Sequence, residues 1–254
     1  GFVSFISLLS VVAMALGVTA LILVLSVMNG FDYEIRQRIL NVVAHAAIFN
    51  EDGVRNWQQL GADATLVRGV EAFAPYVEGY GLLSSDAQGQ GVLIQGIDPL
   101  LEGAVSPISE HMMVGEMALL QPGEYGIVIG NLLARSLGVI RGDYVVLSLP
   151  ELNVTPAGIF PRYKRFRVFG VFQVGAQVDA GLAFVHYRDA QKLFRTGENV
   201  TGVRLRLTNP FAAGDIVSTL NGDMAPGFRA KAWTEDMGNL FQAIELEKKV
   251  VGLL

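Results

Sequence analysis

Bond-making chemistry would need histidines, thiols or paired carboxylates at set spacings, and this sequence offers few of them. Its three histidines, His45, His111 and His186, are far apart. None sits in a His-Glu-x-x-His or His-x-x-His context, so each reads as structural. There is no cysteine, which removes disulfides, thiol catalysis and Cys-based metal sites. No Gly-x-x-x-x-Gly-Lys-Ser/Thr loop is present, so no phosphate cradle for ATP is read here. Two Asn-Val-Thr triplets, at Asn153 and Asn199, match a glycosylation acceptor that arises often by chance. What stands out is a segment suited to binding. Between a strand ending at Pro150 and one beginning near Arg165 runs ELNVTPAGIFPRYK, about thirteen residues where a hairpin closes in about two to five. Pro156 and Pro161 stiffen it, Val154, Ile159 and Phe160 are apolar near its tip, and Arg162, Lys164, Arg165 and Arg167 follow. Two structures fit: a stiff protruding arm offering an apolar and basic surface to a partner, or a long loop folded back to bury Ile159 and Phe160.

The elements around this segment begin with an apolar helix. The chain has 254 residues, 51% of them hydrophobic, and a mean hydropathy of +0.41. The excess is concentrated, since Gly1–Phe31 carries no charged residue or histidine and the first charge is Asp32. At about 1.5 Å per residue, residues 2–28 make a helix of roughly 40 Å, enough for a hydrocarbon core of about 30 Å. Ser7, Ser10, Ala13, Gly17 and Ala20 recur along it, small residues that let helices approach in lipid. No basic residue precedes the run, and it is about twice too long for a signal peptide. The net charge of −5 argues against a nucleic-acid partner.

After this span, residues 31–43 place Phe31, Ile35 and Ile39 on one helical face. At the other end Thr234 can cap a helix over 235–249, with Lys248 and Lys249 placed to snorkel beside the apolar Val250-Val251-Gly252-Leu253-Leu254. The chain thus leaves a membrane on one stalk helix and returns on another, with 246–254 starting a second span. Both ends look cut from a longer polypeptide. Between the stalks, strand patterns fall at 44–50, 92–98, 124–130, 143–150, 165–174, 181–187 and 201–208, and short helices at 57–69, 131–138, 187–195 and 212–222. The fold class expected is α+β in two lobes, one from about 40–80 with 200–233 and a β-rich one from about 85–198.

Four stretches resemble the LolC/LolE permeases of the lipoprotein-releasing ABC transporter: FVSFISLLSVVAMALGVTALILVLSVMNGFDYEIRQRIL (2–40), YGIVIGNLLARSLGVIRGDYVVLSLP (125–150), TPAGIFPRYKRF (155–166) and LFQAIELEKKVVGLL (240–254). The second is shared with MacB-type periplasmic domains, and the third is similar to the Hook of LolC-type members. The resemblance implies transmembrane helix 1 over 1–30, a MacB-like periplasmic domain over 31–245 with Porter and Sabre subdomains, and the start of a second helix at 246–254. It implies a Hook at 151–163. Thr155, Pro156, Ala157, Gly158, Ile159, Phe160 and Pro161 then contact a LolA-like periplasmic carrier, joined by Tyr163, Lys164 and Arg165, although Tyr and Lys stand where the family pattern has Gln and Arg. A bidentate contact is lost at Lys164. Val24, Met28 and Phe31, with Val250 and Val251 in place of Met, match the region that receives lipoprotein acyl chains. The implied function is a permease subunit that extracts lipoproteins from the bacterial inner membrane, without an ATPase site of its own. Its partners would be a LolD-like cytoplasmic ATPase that binds ATP and Mg, a LolE-like second permease or a second copy of the chain, the carrier, the cargo and the bilayer. The alternatives are a MacB-type mechanotransmission efflux permease and an FtsX-like membrane scaffold.

Overall fold

The structure is a computed structural model that describes residues 2–40, 44–85, 88–155, 158–175 and 178–236. The first helix, α1 (Phe2–Leu40), forms one unit and residues 44–236 form another. Within α1, Phe5–Val27 is long and apolar enough to cross a membrane. Its large apolar side chains are exposed on all sides, among them Phe5, Leu9, Met14, Ile22 and Val24. That pattern suits a lipid solvent, where backbone and hydroxyl groups must be satisfied internally. Accordingly the Ser10 hydroxyl donates to Ile6 O at 3.0 Å and the Thr19 hydroxyl to Ala15 O at 2.7 Å. The expected stalk helix over 235–249 and the start of a second span lie outside the described residues, save that a short helix begins at Trp233.

In the second unit the elements run β1 (Ala46–Val54), α2 (Trp57–Thr65), β2 (Val70–Ser84), β3 (Gly89–Ile97), α3 (Pro99–Val105), β4 (Met112–Val114), β5 (Gly126–Gly130), α4 (Asn131–Leu137), β6 (Tyr144–Thr155), β7 (Gly158–Phe172), α5 (Val178–Gly181), β8 (Leu182–His186), α6 (Tyr187–Phe194), β9 (Val200–Leu207), α7 (Ala213–Asp223), β10 (Phe228–Ala232) and α8 (Trp233–Asp236). The strands join in the order β10-β1-β9-β2-β3-β8-β5-β7-β4, and β6 bridges β7 back to β2. β2 therefore serves two parts of the ladder. Its first half, Val70–Tyr76, pairs antiparallel with β9 in an open run β10-β1-β9-β2. Its second half pairs with β3 and, at Leu82–Ser84, with β6. The path β2-β3-β8-β5-β7-β6-β2 then closes on itself, with β3–β8 and β5–β7 parallel.

Side-chain alternation fills both faces of this closed ladder. Leu83, Ile94, Ile127, Ile129, Val145, Leu147, Phe166, Val168, Ala183 and Val185 are completely buried. The next residues along the strands point the other way: Val128, Phe172 and Phe184 join Ile97 beneath Ile108, Met117 and Leu120 of the connecting segment. The Phe172 and Phe184 rings meet edge to face at 5.4 Å. Because segments outside the ladder cover this second face, the first is the interior. Close packing also fixes residue type at Gly79, where a Cβ would lie 2.3 Å from the Phe194 ring of α6.

β2 defeats the strand pattern because it contains Pro75, Gly79 and Gly81. Pro75 is tolerated because it pairs only with Val203 of β9, the ladder to β3 beginning one residue later at Tyr76. Across the open part, Arg204 of β9 is buried and paired through Nη2 with Glu102 of α3, while its Nη1 donates to Gln95 Oε1 at 3.1 Å. Burial pushes the Glu102 carboxyl above the usual carboxylate range, with Arg204 pulling it partly back down.

Candidate functional site

The segment expected as a loop of about thirteen residues is instead strand. β6 and β7 continue as a ladder through Leu149↔Arg162, Leu152↔Pro161, Asn153↔Phe160, Val154↔Ile159 and Thr155↔Gly158. The prolines misled because they normally end strands. Here the register shifts between Leu149 and Leu152, so Pro150 and Glu151 form an irregularity where no ladder donor is required. β6 meets β2 only up to Ser148, and β7 meets β5 only from Arg167 onward. Between those limits the two strands pair only with each other among the described residues. The arm is a two-stranded ribbon. Pro156 and Ala157 lie outside the described residues, as do the side chains of 151–161.

Several contacts fasten the root of this ribbon. Arg162 Nη2 donates to Leu193 O of α6 at 2.7 Å, satisfying one of the carbonyls that a helix leaves open at its C-terminus. The Lys164 ammonium sits 3.4 Å from the centre of the Tyr125 ring, and the Arg165 guanidinium 3.7 Å from that of Tyr144. Tyr163 points outward and is 74% exposed. A small niche of about 110 Å³ is lined by Tyr125, Leu149, Arg162, Tyr163, Lys164, Lys192 and Leu193. Among the described residues its lining holds cations and no carboxylate.

Of the positions expected to contact a carrier, Thr155, Gly158, Ile159, Phe160 and Pro161 share one hairpin with Tyr163, Lys164 and Arg165 at its root. Tyr125, Lys192 and Leu193 join them through space, from β-turn and helix segments that no spacing in the sequence links to the arm. Of the acyl-chain positions, Val24 is exposed on α1, the backbone of Met28 and Phe31 belongs to α1, and Val250 and Val251 lie outside the described residues. The histidines have local roles. His45 Nδ1 meets the backbone of Leu207, His111 Nδ1 lies 3.1 Å from Pro107 O, and His186 Nδ1 accepts the Arg188 N–H at the start of α6. Burial lowers the His186 pKa below its ordinary 6.5.

With a membrane-length helix and a mixed sheet that closes on itself, the chain belongs to the MacB-like periplasmic core domain family, matched over residues 7–222. Within that family its sequence is LolC-like. It is 41% identical over 256 residues to a lipoprotein-releasing system transmembrane protein LolC of Xylella fastidiosa strain Temecula1, covering 100% of this chain and 62% of that protein. It is 40% identical over 257 residues to LolC of Neisseria meningitidis serogroup B strain MC58, with the same coverage of each. The chain therefore spans 62% of the length of these relatives. Among solved structures it overlaps the periplasmic region of MacB from Actinobacillus actinomycetemcomitans at 12% identity and a TM-score of 0.47, over 78% of this chain and 92% of that one.

Proposed function

We propose that this chain is part of a permease subunit that draws lipoproteins out of the bacterial inner membrane and passes them to a soluble periplasmic carrier, driven by ATP hydrolysis on a separate cytoplasmic subunit. The observation that carries this proposal is a β-ribbon at 149–162, rooted in cations, on a LolC-like chain that also has a membrane-length helix. α1 anchors the chain and contributes Val24, Met28 and Phe31 to an acyl-chain site shared with Val250 and Val251. A LolD-like ATPase binds ATP and Mg, and a LolE-like permease or a second copy completes the transporter. The open run of strands corresponds to the Porter subdomain and the closed ladder to the Sabre. The ribbon is the Hook, and Thr155 to Pro161 take the carrier.

Such a ribbon suits capture because its outer edges retain backbone donors and acceptors, and stiffness lowers the entropy lost on docking. Photo-crosslinking residues placed at Ile159 and Phe160 are expected to trap the carrier in membranes. Folded protein that yields no adduct at either position refutes the carrier assignment. In proteoliposomes holding the ATPase and the permease pair, deleting 151–161 is expected to stop ATP-dependent transfer of lipoprotein to the carrier.

A further inference from the structure

Among the described residues Tyr125 is one of two non-glycines with positive φ, at +52°, a conformation that a residue with a Cβ adopts at a cost. Its neighbourhood shows what holds it there. The wholly buried Asp189 of α6 accepts the Gly123 N–H at 2.8 Å with one carboxylate oxygen and the Tyr125 N–H at 3.2 Å with the other. The Tyr125 carbonyl accepts Arg167 N–H of β7 at 3.0 Å. So fixed, the ring stands edge to face with Phe166 at 5.8 Å and lies beneath the Lys164 ammonium. The same helix receives Arg162 at Leu193 O.

We propose that Tyr125 is a positioning residue: with Asp189 and Leu193 of α6 it forms a clamp that sets the direction in which the β6–β7 ribbon leaves the closed ladder. A two-stranded ribbon twists strongly and has no sheet neighbour to set its direction once β2 and β5 release it at Ser148 and Arg167. Beyond those points the contacts at Arg162 and Lys164 brace it from the side. Glycine relieves the backbone at position 125 but removes the ring with its contact to Phe166, so stability alone does not separate a local role from a clamp, and the direction of the arm does. The further consequence, that the clamp pre-orients the arm for its carrier, rests on the proposed function.

The chain lacks cysteine, so paired spin labels can be introduced at Thr155 and Leu132 without background. Pulsed dipolar spectroscopy on the full chain in nanodiscs reads the distribution of distances between arm and body. Tyr125→Phe is expected to reproduce the native distribution. Tyr125→Gly is expected to roughly double the width, as loss of a single bracing contact implies. Lys164→Gln, which removes the other half of the contact and leaves the turn intact, is expected to broaden it likewise. A native width in Tyr125→Gly and Lys164→Gln overturns the clamp. Carrier capture is measured alongside, with Tyr125→Gly expected to weaken it about tenfold through a slower on-rate and Tyr125→Phe to restore it. A native chain that captures no carrier defeats the proposed function, whereas the distances judge the clamp by themselves.

Discussion

His186 shows how one side chain in this protein ties local structure to solution conditions. Its Nδ1 must keep a lone pair to accept the Arg188 N–H that opens α6, and the ring packs 4.9 Å from Tyr187. Burial disfavours the charged imidazolium and Arg188 adds to this, against the opposing pull of Asp189 and Asp98. The folded chain therefore stays neutral at His186 to a lower pH than the unfolded chain, which begins to take up its proton near 6.5. More protons bound by the unfolded state means that this contribution is complete above pH 6.5 and is lost as pH falls below it. Urea unfolding at pH 7.5 and 5.5 is expected to show a lower midpoint at 5.5. His186→Asn keeps a capping side chain and has no charge to gain, so part of that drop should vanish. An identical drop in the variant would exclude His186 as its source. Because α6 also carries Asp189 and Leu193, loosening its first turn bears directly on the root of the arm.

Among the elements, α3 and β10 each carry a polar device that fastens them to their neighbours. Glu102 and Arg204 fasten α3 to β9 inside the unit, with Glu102 Oε1 and Arg204 Nε left without hydrogen-bond partners. Removing one partner strands a buried charge, so Glu102→Ala is expected to cost about 3–5 kcal/mol in chemical denaturation. The double change Glu102→Leu with Arg204→Met should cost far less than the single one; an equal or larger loss would mean that the ion pair itself, not its uncompensated half, supplies the stability. At β10, the last strand of the open run, Asn221 of α7 accepts the Ala230 N–H at 2.7 Å and donates to Ala230 O at 3.0 Å. The amide occupies the edge as a further strand would, which blocks pairing with another molecule. Asn221→Ala is expected to lose about 1–3 kcal/mol and to self-associate in sedimentation, monomeric behaviour with native stability being the contrary result. Neither device is readable from sequence, because 102 and 204, or 221 and 230, meet only after the chain has folded. Legibility followed locality. The apolar run of α1 and the amphipathic α6 and α7 declare themselves through short-range periodicity. β4 is too short to register, and β10 (FRAKA) carries too little β-branched or aromatic character. β2 was hidden by Pro75, whose cost disappears because that stretch of the strand pairs on one side only. In the arm, composition located the segment, yet proline content suggested a loop where a bulged ribbon forms.

At the scale of the whole molecule the distribution of charge matters more than its sum. The chain is acidic overall at −5, yet Arg162, Lys164, Arg165 and Arg167 crowd the inner half of β7 without an intervening carboxylate, and Lys192 faces the same niche. Stacking on Tyr125 and Tyr144 orders Lys164 and Arg165 without neutralising them, since an aromatic face offers a quadrupole and no counter-charge. A pre-ordered cationic patch of this kind accelerates encounter with an acidic partner more than it lengthens the life of the complex. If the proposed carrier docks here, its association rate, followed by stopped-flow fluorescence, should fall about tenfold between roughly 0.02 and 0.5 M salt, while the dissociation rate changes little. Charge reversal of the pair Lys164→Glu and Lys192→Glu should slow association at low salt and flatten the salt dependence. Association that ignores salt in the native chain would leave the cations as struts of the arm alone. A selective effect on the on-rate would instead mean that the features holding the ribbon in place also guide its partner to it: α6 supplies Asp189, Leu193 and Lys192, one residue for the strained turn, one for the guanidinium and one for the field.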